Sequence, residues 1–89
     1  MKVEDRCEII MGARRGTVKY VGKVPELAAG FWVGVHLDEP TGDSDGSVKG
    51  KQYFEVTGGS KFGIFLRPKD VRVGEFPPLE DFNANEDEI

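Results

Sequence analysis

Glycine punctuates this chain so often that few folds remain open to it. Twelve glycines fall singly or in pairs along 89 residues, nearly twice the usual share of about 7 %. Between them lie short runs rich in β-branched and aromatic side chains, at residues 7–10, 17–21, 31–37, 53–56, 63–66 and 70–73. Runs of this length are strands, and glycine lets the chain reverse between them at no steric cost. Thr17-Val18-Lys19-Tyr20-Val21 alternates like a half-buried strand. Phe31 to Leu37 is almost continuously apolar, which predicts a central strand covered on both faces. Residues 22–30 read as a loop with Leu27 as its one large apolar residue, and residues 38–50 as a longer loop. Residues 26–29 could form one helical turn at most. The fold class that follows is all-β, a small antiparallel SH3-like barrel.

Charge divides the chain in two. Glu75, Glu80, Asp81, Glu86, Asp87 and Glu88 lie in the last fifteen residues, which hold no Lys or Arg. The remaining body holds all twelve basic residues against ten acidic ones. Pro77-Pro78 ends the predicted folded part, because consecutive prolines offer no N–H for pairing. We therefore divide the chain into a lead-in at 1–5, a domain at 6–76 and an acidic, mobile tail at 77–89.

No apolar run approaches the ~20 residues needed to cross a bilayer, and residues 1–6 lack the apolar stretch of a signal peptide. With a single cysteine, the expectation is a cytoplasmic protein. Cys7 precedes the apolar pair Ile9-Ile10 and reads as a small core residue. His36, the only histidine, has no cysteine near it, so neither a zinc site nor a Cys–His pair is supported. Asp43-Ser44-Asp45-Gly46 invites a calcium reading. Placing Gly46 sixth in such a loop would put Gln52, not a bidentate Glu, at the twelfth position. No glycine-rich segment has the strand-to-helix context of a phosphate loop. The chain is expected to be no enzyme and to need no cofactor.

Gly12, Arg15-Gly16-Thr17-Val18, Tyr20-Val21-Gly22, Gly30-Phe31-Trp32-Val33-Gly34-Val35, Gly46-Ser47-Val48, Gly50, Tyr53-Phe54 and Gly63-Ile64-Phe65-Leu66-Arg67-Pro68 share one spacing pattern. From Arg6 to Gly74 that pattern resembles the CAP-Gly domain family. The resemblance implies binding of acidic, aromatic-ended C-termini in a groove beside a glycine-rich loop. It also implies a cytoskeleton-associated role in tubulin folding and microtubule dynamics. The partners implied are the α-tubulin C-terminal tail, tubulin-folding cofactor E and other acidic-tailed proteins, with no nucleic acid and no membrane. In the member whose acidic tail this one resembles, the domain is C-terminal, behind a ubiquitin-like domain not found here.

Carried onto this chain, the groove positions are Leu27, Trp32 and Phe65, with Trp32 partly exposed. Lys49, Lys61 and Arg67 supply charge, and residues 47–74 hold six basic against two acidic side chains. Basic groups beside an apolar slot suit a carboxylate-rich peptide end. Phe54 reads as core. The family's loop is Gly-Lys-Asn-Asp-Gly, whereas this chain has Gly42-Asp43-Ser44-Asp45-Gly46. Gly42, Asp45 and Gly46 are expected to preserve the loop's shape, and Ser44 to keep a ligand contact. Asp43 reverses a charge that would face an acidic ligand, so binding should be weaker. Glu86-Asp87-Glu88-Ile89 copies the ligand's charge pattern and is expected to act as an autoinhibitory mimic. A 15-residue tether spans ~20 Å, enough to reach a groove on a body of ~30 Å. The alternative is an SH3-like nucleic-acid-binding barrel using Trp32 and Tyr53 for stacking. The tail opposes it, because phosphate would repel six tethered negative charges.

Overall fold

A computed structural model describes residues 1–78 of the chain. The autoinhibitory reading of residues 86–89 therefore lies outside the described residues. Seven strands follow in order: β1 (Arg6–Ile9), β2 (Arg14–Val24), β3 (Ala28–Leu37), β4 (Ser47–Val48), β5 (Lys51–Gln52), β6 (Gly63–Leu66) and β7 (Val71–Val73). Single 3₁₀ turns sit at Met11–Ala13 and Pro68–Asp70. Among the described residues there is no α-helix. Five strands form one antiparallel sheet in the order β6-β3-β2-β1-β7, and β4 and β5 pair as a small hairpin.

Strands β2 and β3 form the spine. They are longer than expected, because pairing continues past Gly22↔Trp32 and Lys23↔Phe31 to Val24↔Ala28. Only Pro25, Glu26 and Leu27 are left between them, a tight turn in place of the expected nine-residue loop. A bulge interrupts the register between Val18↔Val35 and Tyr20↔Gly34, so Lys19 has no opposite partner. An extra residue shifts the side-chain alternation by one. Val18 and, past the bulge, Tyr20 therefore face opposite sides of the sheet.

Those sides differ in chemistry. On one, Cys7, Ile9, Val18, Val33, Val35, Leu37 and Val71 form the aliphatic core, with Ile64 and Leu66 packed against it. Burial pushes the Cys7 thiol up to about 11, as suits a core residue and not a nucleophile. On the other, Tyr20, Gly34 and Phe65 stand side by side in the register, under the rings of Tyr53 and Phe54. Val33, Gly34 and Val35 are all buried, so the centre of β3 is covered from both sides.

Residues 53–56 form no strand, contrary to the reading from their β-prone composition. The carbonyl of Gly46 accepts both the Tyr53 and the Phe54 N–H, at 2.8 and 3.2 Å. That pair of hydrogen bonds to one acceptor curls the chain and drops both rings onto the sheet. Phe54 is 7 % exposed and is core.

The lead-in and the first tail residues are pinned to the body. Glu4 N–H donates to the Val18 carbonyl and Val18 N–H to that of Asp5. Arg6 grips Asp38 with both terminal nitrogens, at 2.9 and 2.7 Å, and donates through Nε to the Phe76 carbonyl. Arg15 reaches the Pro77 carbonyl and lies over the Phe76 ring, 5.2 Å from its centre.

Candidate functional site

An open groove of about 280 Å³ runs along the aromatic side, lined by Leu27, Trp32, Asp43, Ser44, Val48 and Phe65. These residues come from the β2–β3 turn, β3, the long loop, β4 and β6. Leu27 sits at the tip of its turn, whose Leu27 N–H bonds the Val24 carbonyl at 2.9 Å. It is 43 % exposed, an apolar side chain held towards solvent. Trp32 is half-buried, and its indole N–H is already used, donating to the Ala28 carbonyl at 3.1 Å. The groove can therefore use the indole's face and edge but not its donor.

Arg67 covers that face. Its guanidinium carbon stands 3.9 Å from the centre of the Trp32 ring, and Nη1 donates to the Phe31 carbonyl at 3.0 Å. An arginine spread on an aromatic plane loses little freedom when it binds a carboxylate, and it keeps other N–H groups for the purpose. Gly30 makes this possible. Its φ is +97°, and a β-carbon there would stand 3.0 Å from Arg67 Nη1.

Phe65 is braced edge-on by Tyr53, with ring centres 5.9 Å apart, and by Phe54 at 5.3 Å. Tyr53 in turn donates its hydroxyl to Glu26 Oε1 in a short hydrogen bond. That bond holds the Glu26 carboxyl below its usual range and pushes the Tyr53 phenol up to about 12. The bond ties the turn bearing Leu27 to the wall bearing Phe65. Lys51 stands over the Tyr53 ring at 5.1 Å.

The long loop is laid against β6 by its backbone. Asp43 and Ser44 N–H both donate to the Gly63 carbonyl at 3.0 Å, and Gly63 N–H returns a bond to Ser44 at 2.8 Å. The Ser44 hydroxyl turns inward, accepting from Gly46 N–H at 2.9 Å and reaching the Ser47 carbonyl at 3.4 Å. Ser44 thus meets the groove with its donor already engaged. Asp45 caps the turn through Ser47, whose hydroxyl and N–H hold the Asp45 carboxyl below its usual range. Gly46 has φ +93°, and a β-carbon there would collide with the Phe54 carbonyl. Gly42 N–H bonds the Lys61 carbonyl at 2.7 Å.

Leu27, Trp32, Ser44 and Phe65 thus share one groove, with Arg67 over its tryptophan. Lys49 and Lys61 are exposed on the flanking turns and do not line it. Sequence reasoning missed Val48, a wall residue 9 % exposed. It also missed the brace formed by Tyr53 and Glu26, because no motif relates residues 27 positions apart. Among the described residues, no group of His, Cys, Asp and Glu could hold a metal ion.

A family model for the CAP-Gly domain matches residues 3–71. "Tubulin-folding cofactor B" of Arabidopsis thaliana is 46 % identical over 86 residues, covering 97 % of this chain and 35 % of that protein. The chain spans about a third of the length of the tubulin cofactor and chaperone relatives it matches. The CAP-Gly domain of human Kinesin-like protein KIF13B aligns with a TM-score of 0.72 at 38 % identity, over 88 % of this chain and 74 % of that one. The Bik1 CAP-Gly domain, solved with an ETF peptide from Bim1, aligns with a TM-score of 0.64 at 34 % identity, over 75 % and 78 %.

Proposed function

Since this chain belongs to the CAP-Gly domain family, we propose that its groove receives the C-terminal end of an acidic peptide and works by binding alone. One observation carries the reading: an apolar slot between Leu27, Trp32 and Phe65 lies beside a guanidinium spread on the Trp32 ring. The slot suits a terminal apolar side chain, and Arg67 suits a carboxylate, with Lys49 and Lys61 adding longer-range attraction. The related Bik1 domain was solved with a short peptide, ETF, whose letters spell an acidic residue and a terminal phenylalanine.

Relatives named for tubulin folding support a tubulin-related ligand, and we take that ligand to be the α-tubulin tail, with tubulin-folding cofactor E as a further proposed partner. The setting is then the cytoplasm, on or near the cytoskeleton. Glu86-Asp87-Glu88-Ile89 has the charge and apolar end of such a ligand. Tethering supplies an effective concentration of order millimolar, so the tail competes with external ligands. The domain in this reading is residues 6–76, followed by that tail.

Calorimetric titration with a peptide of the α-tubulin C-terminus tests the proposal. A dissociation constant of order micromolar is expected, about −8 kcal/mol, because a few residues bury less than a standard interface. No binding at millimolar peptide would overturn it. Deleting residues 86–89 should tighten the same binding several-fold, and equal affinity for both chains would remove the competing tail.

A further inference from the structure

Among the described residues, Asp43 is the groove's one acidic lining residue. Its backbone is fixed by the bond from its N–H to the Gly63 carbonyl, two residues before Phe65 on β6. Its carboxylate makes no hydrogen bond or ion pair with any described residue, whereas Asp38, Glu8, Glu4 and Asp70 each have a basic partner. Arg67 likewise has no carboxylate partner among the described residues. The site therefore presents two unneutralised charges of opposite sign around one apolar slot.

A uniformly acidic peptide end meets Arg67 favourably and opposes Asp43. A peptide end carrying both signs satisfies both. We propose that Asp43 is a specificity-determining residue that selects C-terminal ends in which a lysine or arginine lies among the carboxylates. This rests on the peptide-binding reading above and deepens it, by naming the charge pattern of the ligand. Asp43 is exposed, so its contribution is that of a solvent-screened pair and its sign matters more than its size.

The experiment uses the full chain and synthetic peptides of equal length ending in phenylalanine. One has glutamate at the three preceding positions, and three others carry a single lysine at each of those positions in turn. At low salt, at least one lysine peptide should bind the native chain about two- to fivefold tighter than the all-glutamate peptide. Asp43→Lys should reverse that order and Asp43→Asn should abolish it. The carboxylate holds no intramolecular bond among the described residues, so both variants should keep the native melting temperature. Rising salt should compress the discrimination towards unity. An all-glutamate peptide that binds the native chain as well as every lysine peptide would overturn the inference, as would an order unchanged by Asp43→Lys. Failure of all four peptides to bind would instead remove the peptide-binding reading itself.

Discussion

Ile9, Val18, Val33, Val35 and Leu37 are at most 1 % exposed on one face of the sheet, whereas Trp32, Tyr53 and Phe65 on the other remain only half-buried. The first face is aliphatic apart from the Cys7 thiol and, among the described residues, buries no polar or charged side chain. The second is aromatic, and its polar handles are engaged: Trp32 N–H on Ala28, Tyr53 O–H on Glu26. Aliphatic side chains gain by full removal from water, at about 1.5–3 kcal/mol each. Aromatic side chains can pack on one side and still offer a broad surface on the other. In the proposed reading, stability and recognition fall to opposite faces of the same strands.

That division has consequences that substitution can break. Leu37→Ala should cost ~2–5 kcal/mol of unfolding free energy, the usual range for emptying a core site. Leu27→Ala, on the groove, should cost far less stability while weakening peptide binding. Chemical denaturation of the two variants checks this, and comparable losses would dissolve the distinction between the faces. Next in size, Arg67→Ala should weaken peptide binding by ~1–3 kcal/mol, the scale of a charged hydrogen bond, with little change in stability. A variant that binds normally would make Arg67 a cover for Trp32 and nothing more.

Salt should separate the faces further. Between low and high ionic strength, peptide affinity should fall severalfold because the groove is open to solvent, while the melting temperature moves little. An affinity indifferent to salt would leave the slot as the sole source of binding. The smallest effect concerns the Glu26–Tyr53 bond. Because it lowers the Glu26 pKa, its stabilisation is fully present above the unfolded-state value of about 4.3. It fades as pH falls through the lower folded-state value. Tyr53→Phe should therefore lower the melting temperature slightly at pH 7, and the gap from the native chain should narrow in acid. A gap independent of pH would show that the lost contribution is not the bond to the Glu26 carboxylate.

The apolar runs at 7–10, 17–21, 31–37, 63–66 and 70–73 were readable as strands because side chains of that kind suit a sheet whatever surrounds them. Tyr53-Phe54 looked equally β-prone and is not a strand, since Gly46, seven and eight residues earlier, captures both N–H groups. Leu27, Trp32 and Phe65 were readable as a set only through resemblance to a family. Nothing local to them signals a groove.

Composition and the spacing of glycines were enough to determine an all-β chain with short antiparallel strands and an acidic end. Those properties depend on backbone freedom and side-chain shape, which act within a few residues. The tertiary structure alone decided which residues meet. The bulge at Lys19 turns Tyr20 to the aromatic face, the Ser44–Gly63 pairing brings Asp43 to the rim, and Glu26 joins Tyr53 across the sheet. Such contacts arise between positions 14 to 27 residues apart, from bonds that exist only once the strands are already in register.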